Sequence, residues 1–335
     1  MRRLLGCKTV SPSVMITGLL IVSGMFTSFV ACARGGQDPA DRQEIVRELP
    51  GKARLVIEVI SADCIIETGS QDLIQLRILH THEEDRYQVE VRERSAELQL
   101  RERFLGGSTR GISNWQLTVP AATEVLFSSA SGELESRGDY AGLEADSASG
   151  AISVRDLNGR IDINTASSPI RLWDLAGELQ VNTVSGEVEL AGFDGRLELR
   201  TVSGDLELEG LGAEIEAVTA AGRIAASELR PTGECSFSSA AGDIEVQLAE
   251  TPLFDLSLTS AAGKVELDLN GNAIAGTYEF SALEYAGRIE SPIGFDQQEI
   301  FVHAGQTYLR NSFSRGSALP RITLATAAGS VRLKQ

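Results

Sequence analysis

The chain has 335 residues, with 47 acidic and 30 basic side chains, a formal net charge of -17 and 42% hydrophobic residues. This acidity argues against binding nucleic acid or an anionic membrane through a broad basic face. The four cysteines and three histidines show no zinc-ligand spacing, and no phosphate loop or dinucleotide fingerprint occurs, so we expect no cofactor.

Residues 1–31 are predicted to be an export signal. Arg2, Arg3 and Lys8 form a basic start, and an uncharged apolar stretch follows at 14–31. Removal of these three basic residues takes the formal charge from -17 to -20. All interpretations of this segment predict that the chain is exported.

Three fates of the export signal are open. The sequence Phe29-Val30-Ala31-Cys32 resembles a bacterial lipobox, which predicts lipidation at Cys32 and a lipid-anchored envelope protein, in the outer membrane if the host has one. Ordinary cleavage at the small residues around Cys32 would leave a periplasmic or secreted protein. The apolar stretch is also nearly long enough to remain as an uncleaved membrane anchor.

Residues 32–50 are predicted to be a polar tether. Residues 51–120 are predicted to be irregular and β-rich, and to form the N-terminal part of the β-solenoid that the repeats described below indicate. His80 and His82 would share one face of a strand, as two metal ligands do, but no third ligand is fixed by spacing. We therefore predict no metal site. The strand-like runs of this part are Leu55–Ile60, Leu73–Ile78, Tyr87–Val91, Leu98–Phe104 and Trp115–Val119.

Cys64 and Cys235 are the two cysteines that follow the leader and its lipobox, and each lies in an apolar, strand-like run. A disulfide is compatible with export. The wide separation of the two residues in sequence favours two buried, unpaired thiols instead.

Two glycine series mark residues 121–270 as a regular repeat region. Fixed-period self-similarity is typical of solenoids, and alternation of apolar and polar residues between the glycines predicts strands with one buried face. The first series, Gly132, Gly150, Gly186, Gly204 and Gly222, is spaced by multiples of 18 with Ser168 in the vacant slot, and the second is Gly159, Gly177 and Gly195.

The true period is 18 rather than nine. Threonines recur at that spacing, whereas the half-step positions hold aspartate or glycine. In a parallel coil residue i lies over residue i+18, so like residues form ladders along the axis. The pattern predicts an all-β, parallel β-solenoid (β-helix) with about 18 residues and two strands per coil. The threonines are Thr165, Thr183, Thr201 and Thr219, and the half-step positions are Asp156, Asp174, Gly192 and Gly210.

Residue parity assigns the faces of each coil. The outward positions are mostly acidic, and Thr201 and Ser203 share the inward parity near a corner. The charges Arg160, Glu178, Arg196 and Glu214 alternate in sign at the same period, so that each would face an opposite charge one coil away. Predicted inward residues are Val188, Leu190, Phe193, Leu197 and Leu199, and predicted outward residues include Glu187, Glu189, Glu198 and Glu207.

Residues 271–335 are predicted to be a C-terminal excursion or cap followed by final strands. Seven of the 18 aromatic residues lie between 278 and 313, whereas residues 320–333 return to the repeat pattern. The aromatic segment either covers the end of the solenoid or forms a recognition surface. For the second case, we hypothesise partner contacts through Tyr278, Tyr285, Tyr308, Arg310 and Arg315.

The repeats resemble those of the bacterial putative-adhesin family of uncharacterised β-strand-repeat proteins. The best matches are Thr183-Val-Ser-Gly-Glu-Val-Glu-Leu190 and Thr201-Val-Ser-Gly-Asp-Leu-Glu-Leu208, and Trp115-Gln-Leu-Thr-Val-Pro120 resembles the strand and proline that lead into the family's repeats. The resemblance covers roughly residues 50–335. It implies an exported, often membrane-anchored β-solenoid and carries no catalytic residues to transfer.

Two classes of function are compatible with these observations. The first is a non-enzymatic envelope protein that acts as an adhesin-like, scaffold or interaction protein and binds an envelope or surface protein or a glycan. The alternative is a polysaccharide lyase or hydrolase on a β-helix that uses outward carboxylates such as Glu189 and Glu207.

Overall fold

The computed structural model of the protein describes residues 42–106, 111–316 and 318–335. The predicted export signal, Cys32 and most of the predicted tether lie outside these residues. The described part of the chain forms 25 β-strands. It contains no helix long and apolar enough to cross a membrane.

The strands fall into three groups along the chain. The N-terminal strands are β1 (Gln43–Pro50), β2 (Arg54–Val59), β3 (Asp63–Gly69), β4 (Leu73–His80), β5 (Tyr87–Glu93), β6 (Glu97–Phe104) and β7 (Ser113–Pro120). The repeat strands are β8 (Glu124–Ser129), β9 (Leu134–Arg137), β10 (Gly142–Ser147), β11 (Ile152–Arg155), β12 (Asn158–Thr165), β13 (Ile170–Thr183), β14 (Val188–Thr201), β15 (Leu206–Thr219), β16 (Ile224–Ser239), β17 (Ile244–Leu248), β18 (Leu256–Ser260) and β19 (Val265–Asp268). The C-terminal strands are β20 (Gly276–Leu283), β21 (Arg288–Glu290), β22 (Gln297–His303), β23 (Gln306–Arg315), β24 (Arg321–Thr326) and β25 (Ser330–Lys334).

Each coil contributes one strand to each of two ladders, which we name A and B. Ladder A runs β5, β6, β2, β8, β10, β12, the second halves of β13 to β16, then β18, β24, β20, β23 and β22. Ladder B runs β1, β4, β7, β3, β9, β11, the first halves of β13 to β16, then β17, β19, β25 and β21. Strands β13 to β16 belong to both ladders because each bends through a corner.

The predicted parallel solenoid with a repeat period of 18 is confirmed. Thr165 pairs with Thr183, Thr183 with Thr201 and Thr201 with Thr219, all in parallel register. The buried hydroxyl of Thr201 accepts a hydrogen bond of 2.9 Å from the backbone N–H of Gly204. Thr183 and Thr219 accept the same bond from Gly186 and Gly222, so these threonines satisfy backbone donors at the corner that follows their strands.

The first glycine series lies at this corner, where successive coils approach most closely. A Cβ atom at Gly204 would overlap the carbonyl oxygen of Gly186, one coil earlier, and one at Gly222 would overlap that of Gly204. At Gly204 and Gly222 only glycine avoids this contact with the backbone of the previous coil. Ser168, in the vacant slot, is buried, and its hydroxyl lies 3.4 Å from that of Ser147.

The half-step positions lie at the opposite corner and have left-handed backbone conformations. Asp156 and Asp174 have φ values of 59° and 53°, and Gly192 and Gly210 have values of 72° and 65°. Aspartate and glycine tolerate this region better than other residues. This explains why the half-step positions differ from the threonine positions and why the period is 18.

The core fills the space between the ladders. All five residues predicted to point inward between 188 and 199 are buried. The prediction that Ser203 also faces inward is wrong, because the chain turns after Thr201 and parity no longer applies. The hydroxyl of Ser203 is exposed and donates to the carbonyl oxygen of Val184 at 3.3 Å.

The N-terminal part differs from sequence order. Strands β2 and β3 stack between β6 and β7 on one side and β8 and β9 on the other. Residues 43–50, which we predicted to belong to the tether, instead form β1 antiparallel to β4. Ile45 and Leu49 lie on the same face of the strand and pack against the core, which accounts for a strand at this position.

The C-terminal part also crosses over. Strands β24 and β25 continue the solenoid directly after β18 and β19, and β20 and β21 stack outside them. The antiparallel hairpin of β22 and β23 completes this end of ladder A. The last coil in sequence, β24 and β25, therefore lies between two coils that precede it in the chain.

Candidate functional site

The outward face of ladder B carries a groove of about 480 Å³. Its floor is formed by Ala191, Ala225 and Ser227, which are half-buried. Trp173 stands at one end, and acidic side chains line much of the remainder. The groove thus combines an aromatic wall with exposed carboxylates.

The groove follows from the coil register. Trp173 pairs with Ala191, which pairs with Glu209, so the small side chain of Ala191 separates two large ones. In the same way, Ala225 lies between Glu207 and Glu245. Because adjacent strands are about 4.8 Å apart, each alanine leaves a gap about 9.5 Å wide between its neighbours.

One side of the groove is held by a network of ion pairs. Glu245 bonds Arg223 and lies 3.1 Å from the Nζ atom of Lys264, which is 2.8 Å from Glu266. Hydrogen bonding to Arg223 lowers the pKa of Glu245. Burial of Glu266 favours its neutral form, but hydrogen bonds from Lys264 and Lys334 outweigh this effect and lower its pKa.

The two carboxylates beside the floor, Glu207 and Glu209, form no ion pair with this network, although the charge of Glu207 helps to raise the pKa of Arg223. Among the described residues, the groove's ion pairs involve the carboxylates of Glu189, Glu245 and Glu266, and Glu207 and Glu209 take part in none of them. Both side chains are exposed. The groove therefore has negative charge that is available to a ligand.

Trp173 already contacts a cation within the chain. The guanidinium carbon of Arg155 lies 4.9 Å from the centre of the indole ring, in the geometry of a cation–π contact. Arg155 and Trp173 are paired in ladder B. The chemistry of this wall thus suits guanidinium and ammonium groups.

The predicted partner-binding residues at the C-terminal end are not brought together into one surface. The prediction is wrong for Tyr278, which is 0% exposed and stacks on Phe313 at 4.9 Å because its position in β20 faces the core. Tyr285 is 92% exposed and lies in the turn after β20.

The other three residues make contacts within the terminal hairpin. Arg310 lies 3.0 Å from both Glu279 and Glu299, and Arg315 lies 2.8 Å from Asp296. Tyr308 stacks on Phe301 with ring centres 5.3 Å apart. These side chains are half-buried. Their role in binding stays a prediction.

His80 and His82 lie in an aromatic cluster at the N-terminal end. Their rings are 4.4 Å and 4.8 Å from that of Tyr87, and both are buried. Burial lowers the pKa of each histidine. The described residues contain no group of three or more histidine, cysteine or acidic side chains suited to a metal ion.

Cys64 and Cys235 are both buried, free thiols. Burial raises the pKa of Cys235 to about 12 and that of Cys64 well above its usual value. As predicted, the two residues belong to the core and form no disulfide.

The fold is a parallel β-solenoid with an outward-facing groove on ladder B. Residues 53–282 match the model of the Toastrack DUF4097 family, and the chain belongs to this family. This confirms the family resemblance that the Val-Ser-Gly repeats indicate.

Comparison with solved structures finds low similarity over most of the chain. A putative cell adhesion protein from Clostridium sporogenes is 9% identical (TM-score 0.22; 88% of this chain and 99% of the other). A putative lipid binding protein from Parabacteroides distasonis is 12% identical (TM-score 0.47; 88% and 98%). A putative adhesin from Bacteroides fragilis is 10% identical (TM-score 0.30; 87% and 97%). No functionally curated protein shows significant similarity, and these values transfer no binding function to the chain.

The sequence pattern pointed to Glu189 and Glu207 as outward carboxylates but did not reveal Trp173 or the groove that contains all three residues. The available signal was a gap in an outward acidic column. Positions 189 and 207 hold glutamate, position 225 holds alanine, and glutamate returns at position 245. Reading columns across coils, rather than residues along a strand, would have located the floor.

Proposed function

We propose that the protein is a non-enzymatic, exported and lipid-anchored envelope protein that binds a basic segment of an envelope or surface partner in the ladder B groove. The observation that carries this proposal is the pair of exposed carboxylates, Glu207 and Glu209, which form no ion pair among the described residues and lie beside a small-residue floor and Trp173. The proposed role is that of an adhesin-like or scaffold protein.

The physical argument rests on complementarity and rigidity. Arginine or lysine side chains of a partner would neutralise Glu207 and Glu209 and could stack on Trp173. The groove is built on hydrogen-bonded strands, so little of its structure has to be ordered on binding. The net charge of -17 adds long-range attraction for a basic partner, which salt would weaken.

A fluorescence titration with a defined probe tests the groove. Trp115 is fully buried, so quenching by an added peptide reports on Trp173. We expect penta-arginine to quench the emission saturably and penta-glutamate to leave it unchanged. The double variant Glu207→Gln/Glu209→Gln should raise the dissociation constant for penta-arginine at least about tenfold, because two attractive charges are lost.

The matched control is Glu144→Gln/Glu178→Gln, which removes two exposed charges from ladder A. It should retain most of the affinity for penta-arginine. Equal weakening by both double variants would mean that only net charge matters, and the groove proposal would then fail.

A glycan-active enzyme is the second candidate, because Glu189 and Glu207 line the same groove as Trp173. Carboxylate pairs beside an aromatic platform occur in glycosidases. Incubation with cell-wall and plant polysaccharides separates the candidates. Release of reducing ends or unsaturated products by the wild type, lost in Glu207→Gln, would favour the enzyme over the binding protein.

The lipid anchor is proposed from the sequence of the leader, outside the described residues. Metabolic labelling with a fatty-acid analogue should mark the wild-type chain and leave Cys32→Ser unlabelled, because the thiol at position 32 is the acylation site in this proposal. On cell fractionation, the wild type should be found in the membrane fraction and Cys32→Ser in the soluble fraction. Equal labelling of both chains would rule out lipidation at Cys32.

A second contact surface at the C-terminal end stays part of the proposal. Tyr285→Ala is expected to leave the melting temperature unchanged, because the side chain of Tyr285 is almost fully exposed. Tyr308 and Arg310, on the outer face of the hairpin, and Arg315, on the opposite face beside Phe313, are proposed to assist it. If alanine at Tyr285 leaves capture of an envelope partner at the wild-type level, this surface is not used.

A further inference from the structure

The last strand of ladder A, β22, has a free edge. Among the described residues it pairs only with β23, so one row of its backbone donors and acceptors has no strand partner. Unpaired edges are templates for addition of another strand, and proteins commonly protect them with charges, proline or short length.

The other terminal strands carry such protection, and β22 carries little. β1 contains Glu44, Arg47 and Glu48 and ends in proline; β5 ends in Glu-Val-Arg-Glu; and β21 is only three residues long. In contrast, β22 is seven residues long, contains no proline, and its single formal charge is Glu299. That charge is already paired with Arg310 at 3.0 Å.

One face of β22 is also apolar and uncovered. Ile300 is 61% exposed and Val302 is 71% exposed. Both lie on the core-facing side of the hairpin, as shown by the pairing of Ile300 with Leu309 and of Leu309 with the buried Ala282. This apolar surface continues the core beyond the last coil.

Local charge favours a second copy of the chain as the occupant. The whole chain has a net charge of -17, which makes approach through most surfaces repulsive. Residues 295–316 contain two acidic and two basic residues, Asp296, Glu299, Arg310 and Arg315, and therefore have a formal charge of zero. The hairpin of β22 and β23 can therefore meet its own copy without repulsion between hairpin net charges.

The sequence of β22 is also self-complementary. In an antiparallel pair centred on Ile300, the two Ile300 side chains face each other, Glu299 faces Phe301, Gln298 faces Val302, and Gln297 faces His303. No like charges are opposed, and Ile300 and Val302 of both copies share one face. Such a two-fold arrangement is isologous and closed, so it ends at a dimer.

We propose that the protein forms a symmetric dimer by antiparallel pairing of β22 with β22 of a second copy. The two ladders A then continue across the interface, and Ile300 and Val302 of both copies cover each other. This inference does not depend on the ladder B groove or on lipidation, and it adds a partner that the proposed function does not name.

Cross-linking of the full-length chain, dispersed in mild detergent, tests the register. Ile300→Cys should form a disulfide-linked dimer under mild oxidation, because paired residues across antiparallel strands have Cα atoms about 5 Å apart. Val202→Cys is the matched control, since Val202 is also an exposed branched residue, 53% exposed, but lies at a corner of a regular coil. The wild type gives the background of the four native cysteines.

We expect at least about tenfold more covalent dimer from Ile300→Cys than from Val202→Cys or the wild type. Cross-linking of Ile300→Cys at the level of Val202→Cys would overturn the proposal.

Sedimentation velocity provides a measurement without cysteine chemistry. The wild type should show a concentration-dependent dimer. Ile300→Lys should raise the dissociation constant of this dimer at least about tenfold, because two lysines would meet on the symmetry axis. The melting temperature of dilute Ile300→Lys should match that of the wild-type monomer, since the side chain is mostly exposed. A wild type that is monomeric up to about 100 µM, or an Ile300→Lys dimer of unchanged affinity, would contradict the interface.

Discussion

At the scale of single residues, the buried histidines of the N-terminal end make stability depend on pH. The rings of His80 and His82 pack against Tyr87, and His82 also lies 5.0 Å from Phe104. Their pKa values are lowered by burial, so the folded protein holds them neutral at pH values where the unfolded chain begins to bind protons.

The sign of this effect follows from the direction of the shift. The contribution of both histidines is complete above the unfolded pKa of about 6.5 and is lost progressively as the pH falls below it. We expect the melting temperature to decrease by a few degrees, on the order of 2–5 °C, between pH 7.5 and pH 5.5. His82→Phe should reduce this decrease, because it keeps an aromatic ring and removes the titrating group.

His303→Gln is the matched control for the histidine measurement, because His303 is exposed on the terminal hairpin. It should retain the wild-type pH dependence. If the melting temperatures of His82→Phe and the wild type decrease by the same amount on acidification, other groups cause the effect.

Residue-level predictions from the sequence succeeded where parity alone decides the environment. Leu197 and Leu199 are buried between exposed or half-buried polar neighbours, as alternation predicts. They failed where a local change of direction intervenes, as at Ser203, or where side-chain type was used as a guide to exposure, as at Tyr278. A tyrosine in the sequence does not reveal which face of its strand meets the core.

At the scale of the element, the corner glycines are required by close packing of the coils. Gly204→Ala should destabilise the protein by about 2–4 kcal/mol, because the added Cβ atom overlaps the carbonyl oxygen of Gly186 and the coils must separate. Gly294→Ala is the control, since a Cβ atom there meets no heavy atom within 4 Å. Chemical denaturation should show a loss for the first variant and little change for the second. Similar values for the two would mean that the corner glycines are not needed for packing.

The regular coils could be predicted in detail from the sequence, because the physical requirement recurs in every coil. Close approach at one corner favours glycine, and left-handed backbone at the other favours glycine or aspartate, so both appear as columns at a spacing of 18. Glu228 has a φ of 54° and occupies the same column without being either residue. The column was therefore visible up to position 210 and lost beyond it.

At the scale of the whole molecule, the order in which coils stack could not be predicted. The repeat pattern identifies residues 320–333 as a coil but does not show that it lies between β18–β19 and β20–β21. The N-terminal coil of β2 and β3 is likewise enclosed by later strands. Long connections permit several stacking orders with the same local pattern, and only packing of the complete core selects among them.

The groove and the corners both depend on the parallel register with its period of 18. If the coils were shifted, Ala191 would not lie between Trp173 and Glu209, and Gly204 would not lie over Gly186. An intramolecular disulfide can test this register in solution.

The most direct measurement pairs cysteines at the exposed corner. Val184 and Val202 are each 53% exposed, and the backbone N–H of Ser203 donates to the carbonyl oxygen of Val184 at 3.0 Å. Val184→Cys/Val202→Cys should therefore form an intramolecular disulfide, detected by peptide mass spectrometry, because adjacent coils place the two Cα atoms about 4.8 Å apart. Val184→Cys/Ala220→Cys, two coils apart at about 9.6 Å, should remain reduced under the same conditions. Disulfide formation by both pairs, or by the second pair alone, would contradict this register.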